Sequence, residues 1–325
     1  MSWARLEPQR GVDDFRPLYE WIDNNPNKLL VFNLNGTPPH QQRDDQKHEY
    51  YAYPYLNPGG ASAAKDYPAM TAFLTRMKNA IIARYGVMRI FAIECYNEPN
   101  SGYTPDLDER ATANKFHHDS ANQMADRCIA VYDWCVANSV TFMANAWEGA
   151  DTDFPGSPHR KLITALTNKG RSDVYQNWDC SFHQYIYELD PRVAPVQAQK
   201  FINFFKSYNS KGRWWNSEQG TENPNSSTTG RRLKDNPDTK GEWIVAFATV
   251  TQWAIGVRSV MWYAYREQSG DLYPTTHPKT MQVLEKLWGM RGSQLRKVVE
   301  AANGDAFVEW MDPAGVQRSW HIRAA

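Results

Sequence analysis

Before residue 290 the chain reads as seven successive strand-helix units, counting Ser2 to Leu6 as the first strand. The later apolar, β-rich runs are Leu29 to Leu34, Met88 to Tyr96, Val140 to Trp147, Asp179 to Tyr187, Arg213 to Glu218 and Val257 to Tyr265. Helix-period segments lie between them over about 68–85, 112–138, 195–207 and 240–255, and a last one follows over about 279–290. Strands that alternate with helices form crossover units and hence a parallel sheet. The loops after the strands are long, polar and aromatic, as in a (β/α)₈ barrel, whose site lies at the C-terminal ends of its strands. An open doubly wound sheet is the alternative, but it normally carries a Gly-rich turn after its first strand, and none occurs here. From Arg296 the pattern changes to short strands over Ala306–Met311 and Gln317–Ile322, joined by Asp312-Pro313-Ala314-Gly315. That is a hairpin signal. The expected organisation is an α/β barrel over 1–290 and a C-terminal β-hairpin extension over 291–325.

Composition narrows the function classes. Lys+Arg and Asp+Glu are both 36, and no block of like charge occurs. The basic stripe that nucleic-acid binding needs is missing. No apolar run approaches the roughly 18 residues of a membrane span, so neither nucleic acid nor membrane is an expected partner. Aromatic residues make up 13% of the chain, with 13 Trp and 17 Tyr. Flat rings with polar tips match the C–H faces and hydroxyls of sugars, although most such rings serve as core. Cys128 and Cys135 stand seven apart, which is neither a zinc nor a redox spacing, so Cys95, Cys128, Cys135 and Cys180 are expected as buried thiols. The histidines, including the His117-His118 pair, offer no ligand spacing, and neither metal nor cofactor is expected. Met1-Ser2-Trp3 leads on without a basic region or an apolar run, so no signal peptide is read. Localisation and oligomeric state stay open.

Two carboxylates carry the chemistry. Glu98 follows the strand at 88–96 in Tyr96-Asn97-Glu98-Pro99-Asn100. Pro99 cannot extend a ladder and pushes the residue before it toward extended backbone, which places Glu98 at the strand's mouth. Glu218 stands in the same kind of place in Trp214-Trp215-Asn216-Ser217-Glu218-Gln219-Gly220. Glycoside hydrolysis needs such a pair: one acid protonates the leaving oxygen, and the other carboxylate attacks the anomeric carbon or activates water. Glu94 shares the side-chain parity of Glu98 and reads as a buried, hydrogen-bonded structural carboxylate.

Asn97-Glu98-Pro99 resembles the Asn-Glu-Pro signature of the clan of (β/α)₈ retaining glycosidases that includes families 5 and 39. The resemblance implies that Glu98, after the fourth strand, is the acid/base and that Glu218, ending the seventh, is the nucleophile. Phe182-His183-Gln184-Tyr185 resembles the His-x-Tyr of strand six, where the Tyr hydroxyl bonds the nucleophile. Trp262 looks like the clan's tryptophan that floors the subsite nearest the cut, and Asn97 like the asparagine that holds the sugar's 2-hydroxyl. Asn35, in Asn35-Gly36-Thr37-Pro38, resembles the end of strand three in family 39. Trp147, ending the fifth strand, either lines a subsite or packs. The implied substrate is a β-linked oligo- or polysaccharide.

By this resemblance the chain opens at strand two, and no first βα unit is found. A non-catalytic carbohydrate-binding protein on a decayed barrel is therefore the alternative reading. No Gly-x-Ser-x-Gly nucleophile elbow occurs, which counts against an esterase.

Overall fold

The computed structural model describes residues 6–34, 36–41, 64–99, 120–149, 156–186, 189–221, 236–262 and 277–325. Helix α1 spans Arg16–Asn24, strand β1 Leu30–Asn33, helix α2 Tyr67–Tyr85 and strand β2 Ile90–Glu94. Helix α3 covers Ala121–Ala137, β3 Thr141–Glu148, α4 Pro158–Asn168, α5 Ser172–Asn177, and β4 Asp179–Tyr185. Then come α6 (Val193–Ser207), β5 (Trp214–Gly220), α7 (Asp238–Ala254), β6 (Val257–Trp262) and α8 (Pro278–Gly289). Strands β7 (Gln294–Glu300), β8 (Ala306–Met311) and β9 (Gln317–Ile322) complete the described chain.

The first six strands form one sheet in chain order, β1-β2-β3-β4-β5-β6. With helices between successive strands, this is a partial (β/α)₈ barrel followed by an antiparallel sheet. The strand expected at Ser2 to Leu6 lies outside the described residues except for Leu6, which is helical. The ends of the expected runs at Tyr187 and at 263–265 also lie outside them. Among the described residues no helix is long and apolar enough to cross a membrane.

The chain divides into two compact units. The first comprises 1–148, 152–181 and 205–212, and the second 149–151, 182–204 and 213–325. In the first unit, α2 shows how sequence sets local structure. Asp66 caps it by accepting from the Ala69 N–H at 2.9 Å, and Gly86 ends it in the left-handed region at φ 71°. A side chain there would be strained, whereas glycine adopts that backbone freely. Met70, Phe73, Leu74, Met77 and Ile81 recur at helical spacing and are all buried. Such a stripe faces the core. A capping box between Ser120 and Gln123 starts α3, and Trp134 of α3 donates its indole N–H to Thr75 of α2 at 2.9 Å. Parallel pairing sets Asn33 beside Glu94 and Glu94 beside Met143.

In the second unit α7 is buried almost all round, from Trp243 through Phe247 to Gln252. One cluster joins Trp243, Ile244, Phe247 and Val250 of α7 to Val283 of α8 and to Ala306, Val308, Trp310 and Ile322 of the antiparallel sheet. The indole of Trp243 donates to the Gly304 carbonyl at 3.0 Å. The expected hairpin is present as β8 and β9, and β7 adds a third strand in the order β7-β8-β9. Its turn is held by Asp312, whose Oδ1 accepts from the N–H groups of Ala314 and Val316 at 3.0 and 2.8 Å. Helix α8 lacks a side-chain cap of its own. Asp238 of α7 supplies one, accepting from the N–H groups of Lys279 and Thr280 at 2.8 and 2.9 Å.

Candidate active site

The second unit holds four of the residues singled out by sequence, His183, Tyr185, Glu218 and Trp262. His183 and Tyr185 are two apart on β4, so they leave the same face of the strand. The Tyr185 hydroxyl donates to Oε1 of Glu218 on β5. Nδ1 of His183, itself 2% exposed, lies 3.6 Å from the other oxygen, Oε2. Each oxygen of Glu218 thus faces its own β4 side chain, while the carboxylate keeps 20% of its surface open. A phenol donating to a carboxylate forms a short, charge-assisted bond that fixes both charge and orientation.

The backbone under Glu218 is irregular for an evident reason. Asn216 pairs with Val260 and Gln219 with Trp262, so β5 spends one more residue than β6 between these two pairs. An extra residue of this kind bends the strand and re-aims a side chain, as bulges beside active sites do. Gln219 is fully buried below it. Its amide donates to the Gln184 carbonyl at 2.9 Å and accepts from Gln252 at 2.9 Å. Trp214 and Trp215, which precede Glu218 on β5, are 7% and 6% exposed, and the Arg213 and Arg258 guanidinium groups lie 5.8 and 5.6 Å from the Trp215 ring centroid. Trp262, on β6, is partly buried against the second unit's core. Its indole donates to Thr249 at 3.1 Å.

In the first unit Asn97 and Glu98 follow the end of β2 and continue its pairing with β3. Asn97 bridges Ala146 in parallel, and the Glu98 N–H donates to the Ala146 carbonyl at 2.6 Å. Glu98 has φ 45°, not the extended backbone expected of a residue before proline. The bond to Ala146 holds its N–H against β3 and overrides the local preference. A non-glycine residue at positive φ costs free energy and tends to occur where function requires it. Beneath this segment Arg127 of α3 is fully buried. It donates to the Leu34 carbonyl, and at 3.0 Å to that of Cys95, and its guanidinium lies 4.3 Å from the Tyr96 ring centroid. One buried cation therefore ties together the chain ends that leave β1 and β2.

Glu94 is 4% exposed and accepts from the Asn33 amide at 2.8 Å, in keeping with a structural carboxylate. Trp147 is fully buried, its ring centroid 3.9 Å from that of His159. Asn35 lies outside the described residues. All four cysteines are free and buried, and burial raises the pKa of Cys135 and Cys180. Sequence reasoning passed over Asn33 and Arg127. Only the parity of Asn33 along its strand hinted at its part, and nothing local marks Arg127.

No family model matches the sequence, and no curated protein matches it. Among solved structures, the chain is similar to a glucosidase from Croceicoccus marinus, with 11% identity and a TM-score of 0.66 over 98% of this chain. It is similar to a conserved exported protein from Bacteroides fragilis, with 10% identity and a TM-score of 0.57 over 93% of this chain and 68% of that one. An endo-β-1,6-glucanase matches with 11% identity and a TM-score of 0.52 over 95% of this chain and 71% of its own. This chain spans 63% of the length of the glucosidase. At such identities the likeness is one of fold, and two of these three relatives in fold are glycosidases by description.

Proposed function

We propose that the chain is a retaining glycoside hydrolase that cleaves β-glycosidic bonds of an oligo- or polysaccharide. The observation that carries this reading is the Tyr185 hydroxyl on Glu218. A strand-end carboxylate oriented by a phenol and flanked by His183 is suited to act as a nucleophile. In the proposed double displacement, Glu98 protonates the leaving sugar's oxygen while Glu218 attacks the anomeric carbon and forms a glycosyl-enzyme. Glu98, now a base, takes a proton from water, which releases the sugar with its configuration retained. Asn97 holds the hydroxyl beside the anomeric carbon, Trp262 floors the nearest subsite, and Asn35 completes the expected sugar contacts, whereas Trp147, fully buried against His159, takes the packing role. Both proton transfer and attack come from carboxylates, so the route uses no metal and no cofactor. Residues 1–290 carry the barrel in this reading, and 291–325 the appended strands. The glucosidase and β-glucanase among the relatives in fold support a β-linked glucan as the first substrate to try.

The test is hydrolysis of aryl β-glycosides and β-glucan oligosaccharides by wild type and Glu218→Ala, with azide added to the variant. Activity lost in the variant and rescued as a glycosyl azide of inverted configuration is the expected result. A folded wild type that binds these sugars and cleaves none would instead favour a carbohydrate-binding protein on a decayed barrel.

A further inference from the structure

Asn33 is the last residue of β1 and is paired across the parallel ladder with Glu94, the last residue of β2. Side chains paired in this way leave the same face of the sheet. The Asn33 amide nitrogen donates to Glu94 Oε2 at 2.8 Å and to Asn97 Oδ1 at 3.4 Å. A primary amide nitrogen has two hydrogens, and both are used here. Turning the Asn33 amide over would set its oxygen against the buried Glu94 oxygen, so Glu94 fixes which end of Asn33 meets Asn97. Asn97 must then meet that NH₂ group with its own oxygen, which directs its own NH₂ group away. The backbone of Asn97 is held by its bridge to Ala146, and its side chain is half-buried. Among the described residues none accepts from the Asn97 amide nitrogen.

We propose that Asn33 is a positioning residue that fixes Asn97 as a hydrogen-bond donor toward substrate. This rests on the hydrolase reading above, in which Asn97 meets the substituent next to the anomeric carbon. A donor at that place selects a sugar whose 2-substituent can accept, such as a hydroxyl. It discriminates against a 2-ammonium sugar, which brings only donors. Glu94 acts one step further back, through Asn33.

The experiment compares kcat/KM for 4-nitrophenyl β-glucoside and its 2-amino-2-deoxy analogue, at a pH where the amine is protonated, in wild type, Asn33→Ala and Asn97→Ala. The inductive slowing by the ammonium group is common to all three proteins and cancels when their ratios are compared. The preference for the hydroxyl sugar should fall on the order of tenfold in Asn33→Ala, the size of one hydrogen bond, and approach the value in Asn97→Ala. A purely structural loss would slow both substrates alike, and an unchanged ratio would overturn the proposal. A second readout is independent of catalysis. The side-chain amide resonances of Asn97, assigned by their disappearance in Asn97→Ala, should shift in Asn33→Ala. If wild type is inert on both sugars, the hydrolase reading is what fails, and the spectra decide the Asn33–Asn97 coupling alone. Unmoved Asn97 resonances would refute it.

Discussion

The Tyr185 hydroxyl donates to Oε1 of Glu218, linking the end of β4 to the bulged segment of β5. Tyr185→Phe removes that donor and leaves the ring. Hydrogen bonds to charged groups contribute about 1.5–3 kcal/mol, so kcat on an aryl β-glycoside should fall about tenfold to a hundredfold, with KM little changed. Steady-state kinetics on a variant with a wild-type circular dichroism spectrum checks this. Equal kcat values would detach Tyr185 from the chemistry.

Gly212 lies where two backbones meet. A Cβ built there would stand 1.5 Å from the Trp178 carbonyl oxygen, which is backbone and cannot swing aside. The neighbouring Lys211 N–H donates to the Gln176 carbonyl at 2.8 Å, which holds the strands of chain together. Gly212→Ala should therefore cost at least about 1–3 kcal/mol, the usual range for overpacking, as measured by urea unfolding. A loss below about 0.5 kcal/mol would mean that the chain separates easily here.

His159 is buried against Trp147 and Phe205, and burial lowers its pKa to about 3. In the unfolded chain a histidine titrates near ~6.5. Between these values the unfolded chain binds a proton that the native protein does not. Stability therefore rises with pH across the window and is lost as pH falls from about 6.5 toward 3, by up to about 1.4 kcal/mol per pH unit. His159→Phe keeps a ring on Trp147 and removes the titration. Urea midpoints from pH 4 to 7 should show a slope flatter by one proton in the variant; parallel curves would contradict this account.

Asp238 caps α8 from another helix. Its burial opposes ionisation, but the N–H groups of Thr280 and Lys279 and the Thr280 hydroxyl outweigh that, and its pKa is lowered. The stabilisation is present above the ordinary carboxylate range and is lost as pH falls through the lowered native value. Asp238→Ala should cost about 1–2 kcal/mol at neutral pH. Its thermal midpoint should converge on that of wild type as the solution is acidified below about pH 4. A deficit that stays constant with pH would argue against a carboxylate cap.

Much of the scaffold was readable because burial on both faces leaves apolar, β-branched runs. The run Val140 to Trp147 became β3 at Thr141–Glu148, and the segment read over 240–255 became α7 at Asp238–Ala254. Strand β7 was not read, since Gln294, Arg296, Lys297 and Glu300 break its pattern and its partner β8 supplies what its own sequence lacks. The short helices α4 and α5 were also passed over; α5 has six residues, too few for a periodic signal. At the site, Tyr185 was expected on Glu218 through the resemblance of Phe182-His183-Gln184-Tyr185 to the clan's His-x-Tyr, and strand parity explains why His183 faces the same carboxylate. Asn33 was not, because its partner Glu94 is 61 residues away and the register joining them is set by the sheet. Glu98 shows the opposite failure. A sound local rule about proline gave way to a bond with Ala146 on the neighbouring strand.

The cluster that joins α7 to the terminal antiparallel sheet also bears on how such chains diversify. Trp243 and Gly304 share a hydrogen bond, and Trp310 and Ile322 pack in the same core as Phe247. A recombination event that replaced only the terminal sheet would leave α7 facing foreign side chains across a close-packed surface. Inheritance in this lineage should therefore pass the helix and the sheet on as one block, with viable crossovers falling before Asp238 rather than after α8.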